Sequence, residues 1–129
     1  MDNSMKILIV DDEEDLTTTL VERMEIRGYE AVAVQTGEEA LAQVRDNIFD
    51  VVVLDIKLKG EDGVEIMKQI KQVKEKLPVI LLTGHMSGEA SEEGLKAGAI
   101  DYIIKPIDIE DLIRKLREAS EGYSRGQTS

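Results

Sequence analysis

The feature that most constrains the fold is an alternation of short apolar runs with stretches of helical periodicity. The run Val51–Asp55 is apolar until its last residue, which predicts a strand buried on both faces rather than one with a solvent face. Comparable runs precede Asp11, Thr83 and Lys105. Between the runs, apolar residues recur every three or four positions, as on the buried side of a helix. Five rounds of this alternation predict an α/β domain with a parallel sheet covered by helices on both faces.

Helix boundaries carry their own signals. Gly28 follows the first predicted helix, Thr36 with Glu39 three residues later forms a capping-box pattern, and Asp108 can cap the last helix. Right-handed crossovers leave few arrangements, and the flavodoxin-like strand order 2-1-3-4-5 is the leading one. We therefore expect a single three-layer, doubly wound domain with a five-stranded parallel sheet and five helices. The predicted strands occupy residues 6–10, 31–34, 51–55, 78–83 and 100–104.

Two segments are less regular. The region of the fourth helix is rich in alanine and contains Gly88 and Gly94, so we expect this helix to be short and weakly held. From Glu121 onward the sequence shows no periodicity. We assign residues 1–120 to the domain and residues 121–129 to a disordered tail or truncated linker.

Composition limits the classes of function. The chain has 129 residues, which supports one domain with an ordinary core, and a net charge of −11. That charge argues against direct binding of nucleic acid or an anionic membrane and favours divalent cations and basic protein surfaces. No apolar run is long enough for a signal peptide or a membrane span. The lack of cysteine is compatible with a reducing cytoplasm, which is the expected location.

The ends of the predicted strands carry the candidate chemistry. The first and third strands are neighbours in the leading strand order, so Asp11, Asp12 and Asp55 are expected to lie together. Carboxylates at 4 Å repel one another by about 4 kcal/mol per pair at an effective dielectric constant of 20, and a hard cation such as Mg²⁺ would offset this repulsion. Two further strands end at Lys105 and Thr83. The ammonium of Lys105 can pair with a phosphoryl oxygen, and the hydroxyl of Thr83 can donate a hydrogen bond to one. The set predicts phosphoryl transfer to Asp55.

Other interpretations of the same residues stay open. An acidic run often starts a solvated helix, and a Lys-Pro pair often ends a strand. The fold also suits a flavin-binding or other small-ligand protein, although the loop after the first strand is acidic rather than rich in Ser, Thr and Gly. A hydrolase with an aspartyl-phosphate would typically place a second Asp at position 57, where this chain has Lys57. A third alternative is a scaffold domain of the same fold that is not phosphorylated. The presence of all the polar residues at the strand ends argues against it.

Four motifs in this order resemble those of the receiver domain of two-component response regulators. The resemblance extends from residue 5 to about residue 120. The motifs are KILIVDD at 6–12, VVVLDIKLKGEDG at 51–63, VILLTG at 79–84 and AGAIDYIIKP at 97–106.

The resemblance implies an acceptor and a metal site. Asp55 would accept the phosphoryl group. Asp12, Asp55 and the backbone carbonyl of Lys57 would ligate Mg²⁺, for which Mn²⁺ can substitute, and Asp11 would act directly or through water.

The resemblance also implies phosphoryl-binding and switch residues. Thr83 and Lys105 would bind the phosphoryl oxygens, and Tyr102 would change rotamer as Thr83 moves. The Lys105–Pro106 peptide bond would be cis, a form that only an X-Pro bond adopts readily.

The partners implied by the resemblance are proteins. A sensor histidine kinase or a histidine phosphotransfer protein would supply the phosphoryl group, and a downstream protein or a missing effector domain would receive the signal. A homodimer could form through the face of the fourth helix, fifth strand and fifth helix. We expect no enzyme activity beyond self-directed phosphoryl transfer and autodephosphorylation.

Two positions depart from the family pattern or extend it. The loop after the acceptor usually reads Leu-Pro-Gly, whereas this chain has Leu58, Lys59 and Gly60. Without the fixed φ of proline, we expect a more mobile loop and a less preorganised metal carbonyl, with Lys59 pointing to solvent or to an acidic kinase surface. His85 is expected to be an exposed loop residue rather than a direct participant in dephosphorylation.

Overall fold

A computed structural model describes residues 5–84 and 88–128 of the protein, with side chains given outside residues 88–91 and 123–128. Over this range the chain alternates between strands and helices. The strands are β1 (Lys6–Val10), β2 (Glu30–Val34), β3 (Val51–Asp55), β4 (Lys57–Leu58), β5 (Glu61–Asp62), β6 (Val79–Thr83) and β7 (Asp101–Ile104). The helices are α1 (Glu14–Ile26), α2 (Gly37–Asp46), α3 (Gly63–Val73), α4 (Gly88–Ala97) and α5 (Ile109–Thr128).

The described strands form a parallel sheet and a separate small hairpin. The sheet has five strands in the order β2-β1-β3-β6-β7, while β4 pairs with β5 in antiparallel fashion. Counted along the five strands of the sheet alone, this is the predicted order 2-1-3-4-5, so the predicted fold is confirmed. In the pair of β1 and β3, Val10 lies opposite Leu54. The next residue of each strand, Asp11 and Asp55, is therefore delivered to the same edge of the sheet.

Both faces of the sheet are covered by helices. In β1, Ile7 and Ile9 pack into the core cluster under α1 and α5, whereas Leu8 and Val10 pack into the cluster under α2 and α3. Each fully buried aliphatic side chain contributes about 1.5–3 kcal/mol relative to an exposed one. The sheet is thus a densely packed support for the groups at its strand ends. The helix residues buried in the cluster under α1 and α5 are Leu20, Met24, Leu112, Ile113, Leu116 and Ala119.

The helix ends that the sequence predicts show the expected capping features in the structure. The Glu39 N–H donates to Thr36 Oγ1 at 3.1 Å, and the Thr36 N–H donates to Glu39 Oε1 at 3.2 Å, which completes the capping box of α2. Gly28 follows α1 with a φ of 88°, a conformation that favours glycine. The N–H of Asp111 donates to Asp108 Oδ1 at 3.2 Å at the start of α5.

Helix α5 extends further than the sequence predicts. Its backbone is helical to Thr128, whereas a disordered tail or truncated linker is expected from Glu121. No proline interrupts residues 121–128, so nothing in the sequence forbids the helical turn from continuing. The domain boundary at residue 120 stays a prediction. Over the described residues, no helix is both long and apolar enough to cross a membrane.

Helix α4 has 10 residues, the same length as α2, and Gly94 sets how closely it approaches the sheet. Gly94 is buried, and a Cβ atom built on it would overlap Cδ1 of Leu81, a fully buried residue of β6. The glycine that weakens the helix therefore also permits its close packing on β6.

We expect Gly94→Ala to destabilise the protein. Alanine is favoured over glycine in a helix by about 1 kcal/mol, but its methyl group would force Leu81 to move in a packed core, and we expect a net loss of about 1–2 kcal/mol in the free energy of unfolding. The measurement is urea unfolding. Gly122→Ala in α5 is the matched control, because the described atoms leave the space within 4 Å of its built Cβ open. If both variants were stabilised alike, the close packing of Gly94 on Leu81 would be wrong.

Candidate functional site

Three carboxylates converge where β1 and β3 end. Asp11 and Asp12 follow β1, Asp55 ends β3, and one oxygen of each lies within 4.8 Å of the others. Asp11 is fully buried, Asp55 is 5% exposed, and Asp12 is half-buried. The structure thus brings together the three carboxylates that the sequence predicts at this edge.

Lys105 reaches these carboxylates from the end of β7. Its Nζ lies 3.0 Å from Asp11 Oδ2, 3.0 Å from Asp55 Oδ2 and 2.7 Å from Glu13 Oε1. Burial acts to lower the pKa of Lys105, but its close contacts with the carboxylates of Glu13, Asp11 and Asp55 outweigh burial and raise the pKa above the ordinary value. Lys105 is therefore positively charged at neutral pH.

Asp11 is the least well compensated of the carboxylates. Its Oδ1 accepts a hydrogen bond from the Glu13 N–H at 2.9 Å. Its Oδ2 is close to Lys105 but, among the described residues, has no partner with hydrogen-bond geometry. Burial raises the pKa of Asp11, while the Glu13 N–H and Lys105 act against this rise. An excess of carboxylates over cations, together with an orphaned buried oxygen, is an arrangement that suits a hard divalent cation.

Asp55 is held at both oxygens. Its Oδ1 accepts the Lys57 N–H at 2.9 Å, and its Oδ2 accepts from Lys105 Nζ at 3.0 Å. On β6, Leu82 lies opposite Asp55, and Thr83 is the next residue. Thr83 is 5% exposed, and its carbonyl accepts the Lys105 N–H at 2.8 Å. Thr83 and Lys105 therefore lie at the same edge of the sheet as Asp55.

The β4–β5 hairpin is tied to the site and to α2. The Lys59 N–H donates to Asp12 Oδ2 at 2.8 Å. On the other side of the turn, the Glu61 carboxylate accepts the Gly37 N–H at 3.2 Å, at the start of α2. Proline at position 59 would have no N–H to donate. Lys59 lacks the fixed φ of proline, but its backbone N–H restrains the loop through a hydrogen bond that proline could not make.

Tyr102 lies on the edge strand β7, which β6 separates from the strand that carries Asp55. It is half-buried on β7 opposite Leu81 and packs against the core cluster that contains Leu81. The Lys115 Nζ donates to its carbonyl at 3.0 Å. The Lys105–Pro106 peptide bond is cis. His85, expected to be an exposed loop residue, lies outside the described residues.

Comparison with known proteins identifies the family. Residues 7–117 match the response regulator receiver domain. The chain belongs to this family. The phosphoacceptor interpretation is thereby supported, and the flavin-binding alternative gains no support.

The relatives of this receiver domain include proteins that are much longer than this chain. The transcriptional regulatory protein ZraR of Salmonella typhimurium is 39% identical over 113 residues, which are 88% of this chain and 26% of that protein. A CheY-like receiver domain from Methanospirillum hungatei JF-1 shares 32% identity with a TM-score of 0.90, over 95% of this chain and 98% of that one. A response regulator from Burkholderia pseudomallei, solved with a phosphorylated aspartic acid, a calcium ion and citrate, shares 26% identity with a TM-score of 0.83, over 95% of this chain and 73% of that one.

Sequence reasoning missed three contributors to the site. Glu13 pairs with Lys105, Lys59 supplies a backbone donor to Asp12, and Glu61 fixes the hairpin to α2. The acidic run after β1 marks Glu13 only as a charged residue. The other two contacts join parts of the chain that the sequence pattern does not relate.

We expect Asp11→Asn to raise the free energy of unfolding by about 1 kcal/mol at neutral pH without divalent cations, because it removes a poorly compensated buried charge. Since the pKa of Asp11 is raised in the folded state, the folded protein loses stability as the pH rises above the ordinary value of 3.8. The advantage of the variant should therefore be largest at neutral pH and should vanish below that value.

Thermal unfolding in a chelator across this pH range measures the effect. Asp46→Asn, which removes an exposed carboxylate at the end of α2, is the control and should show little change. An advantage of Asp11→Asn that is equally large in acid would show that relief of buried charge is not its cause.

Proposed function

We propose that Asp55 accepts a phosphoryl group from a phosphohistidine of a sensor histidine kinase or a histidine phosphotransfer protein, in a reaction that requires Mg²⁺. The observation that carries this proposal is the nearly buried Asp55 carboxylate, held by Lys105 and the Lys57 N–H beside Asp11 and Asp12. The phosphorylated aspartic acid in the Burkholderia pseudomallei relative supports it.

The transfer is a displacement at phosphorus. A carboxylate oxygen of Asp55 forms the new O–P bond, the P–N bond to histidine breaks, and the imidazole leaves with the electron pair. Catalysis then depends on positioning and on neutralising the charge of the phosphoryl oxygens. Lys105 lies next to Asp55 and can pair with one of these oxygens, and Thr83 at the end of β6 can donate its hydroxyl to another.

The cation would be held by Asp12, Asp55 and the backbone carbonyl of Lys57, with Asp11 acting directly or through water. Mg²⁺ prefers oxygen ligands and would neutralise charge on the carboxylates and on the phosphoryl group, and Mn²⁺ can substitute for it. The orphaned Oδ2 of Asp11 supports this assignment. The role of the Lys57 carbonyl rests on the family pattern.

Incubation with acetyl phosphate and Mg²⁺ should increase the intact mass of the protein by one phosphoryl group. Asp55→Asn should show no increase, because the amide is not a competent nucleophile, and a chelator should abolish the adduct on the wild type. Asp50→Asn, which changes a carboxylate at the opposite end of β3, should still be phosphorylated. An unmodified wild type at every Mg²⁺ concentration, or a modified Asp55→Asn, would contradict the acceptor assignment.

We further propose that Thr83 and Tyr102 transmit the phosphorylated state. Leu81 precedes Thr83 by two residues on β6, lies opposite Tyr102 on β7, and packs against Gly94 of α4. A shift of Thr83 toward the phosphoryl group would therefore disturb the packing of both Tyr102 and α4. A change from a 1:99 to a 99:1 ratio of two states requires about 5.5 kcal/mol, which new charge-assisted hydrogen bonds and repacking together can supply.

Amide hydrogen exchange of residues 92–98 tests the switch. Binding of beryllium trifluoride, a phosphoryl mimic, with Mg²⁺ should change exchange in this part of α4. Asp55→Asn should abolish the change, and Tyr102→Ala should reduce it if the tyrosine is part of the path. Identical exchange in the free and mimic-bound wild type would show that α4 does not respond.

The route by which phosphorylation of Asp55 produces an output is a separate proposal. This chain spans about a quarter of the length of ZraR, with 26% of that protein matched. An effector domain elsewhere in a longer protein, a separate downstream protein, and a homodimer through the face of α4, β7 and α5 all stay predictions.

A further inference from the structure

Glu13 occupies a helix-capping position without capping the helix. It is the N-cap residue of α1, with φ −86° and ψ 96°, yet within the described part of the chain its side chain makes no capping hydrogen bond. Short side chains such as Ser, Thr, Asp and Asn suit this position, whereas the glutamate carboxylate is displaced by an additional methylene group. Its side chain is 60% exposed and extends to Lys105 instead, with Oε1 at 2.7 Å from Nζ.

The ammonium of Lys105 is shared among several carboxylates, with hydrogen bonds to Glu13 and Asp55 and an ion pair with Asp11. A lysine has three N–H donors, and within the described residues Nζ lies close to three carboxylates, those of Asp11, Glu13 and Asp55. A phosphoryl oxygen that pairs with Lys105 would therefore compete with these carboxylates for the ammonium. Asp11 and Asp55 belong to the carboxylate cluster that fits a cation, whereas Glu13 lies outside that cluster.

We propose that Glu13 is a positioning residue that holds Lys105 in the resting site and competes with the phosphoryl oxygen for its ammonium group. This inference rests on the proposed function of Asp55. Glu13 thereby keeps the lysine beside the acceptor before transfer and opposes occupancy of the site after it. Because the pair is largely solvent-exposed on the Glu13 side, its loss should strengthen binding of a phosphoryl group by about two- to fivefold.

The test compares Glu13→Gln with Glu14→Gln. Both variants remove one negative charge from adjacent exposed residues, but the carboxylates near Lys105 in the described structure include that of Glu13 and not that of Glu14. The dissociation constant of beryllium trifluoride is measured at saturating Mg²⁺ by chemical-shift titration. Glu13→Gln should bind the mimic two- to fivefold more tightly than Glu14→Gln does.

A second measurement separates competition for Lys105 from a general change in the site. The affinity for Mg²⁺ alone, without the mimic, should change equally in the two variants, because it reflects the lost charge rather than the contact with Lys105. Thermal unfolding confirms that both variants are folded. Equal or weaker binding of the mimic by Glu13→Gln, relative to Glu14→Gln, would overturn the inference while leaving the acceptor role of Asp55 intact. A wild type that neither binds the mimic nor takes up a phosphoryl group would overturn the proposed function and this inference with it.

Discussion

The central constraint on this structure is that a packed sheet holds mutually repelling carboxylates together at its edge. Asp11, Asp12 and Asp55 are held within 4.8 Å of one another, and Glu13 adds a fourth carboxylate near the single ammonium of Lys105. A flexible chain would separate these charges. They remain together because β1 and β3 are neighbours in a sheet whose two faces are buried, and the apolar packing below opposes their separation. The fold thus maintains a negatively charged site that favours the binding of a cation.

The same packing connects this edge of the sheet to the surface formed by β7 and α4. Leu81 belongs to the buried sheet, yet it is paired with the edge strand β7 through Tyr102 and touches α4 through Gly94. A close-packed interior does not deform gradually, so the switch we propose would appear as repacking of these neighbours after a small movement at the end of β6.

Much of this arrangement is readable from the sequence, and the reason is physical. A strand such as Val51–Asp55 has to be buried on both faces, and the strand order then brings Asp55 beside Asp11 without any knowledge of tertiary contacts. Helix caps such as that of α2 are local, so Thr36 and Glu39 predict them directly. The extension of α5 is different, because the sequence after Glu121 neither favours nor forbids a helix. The contact between Glu13 and Lys105 joins residues 92 positions apart, and only the folded chain shows that the two side chains meet.

The hydrogen bond between the Lys59 N–H and Asp12 has a consequence for how this domain can diverge or be recombined. The donor is a backbone N–H, which every amino acid except proline provides. Substitutions at position 59 by other amino acids can therefore retain the hydrogen bond to Asp12. Proline is the exception, and it is the residue that usually occupies this loop in the family. A chimaera with proline at position 59 would therefore lose the hydrogen bond to Asp12 and gain a more rigid loop backbone. The loop and the acidic residues after β1 are thus structurally coupled in this protein through this one hydrogen bond.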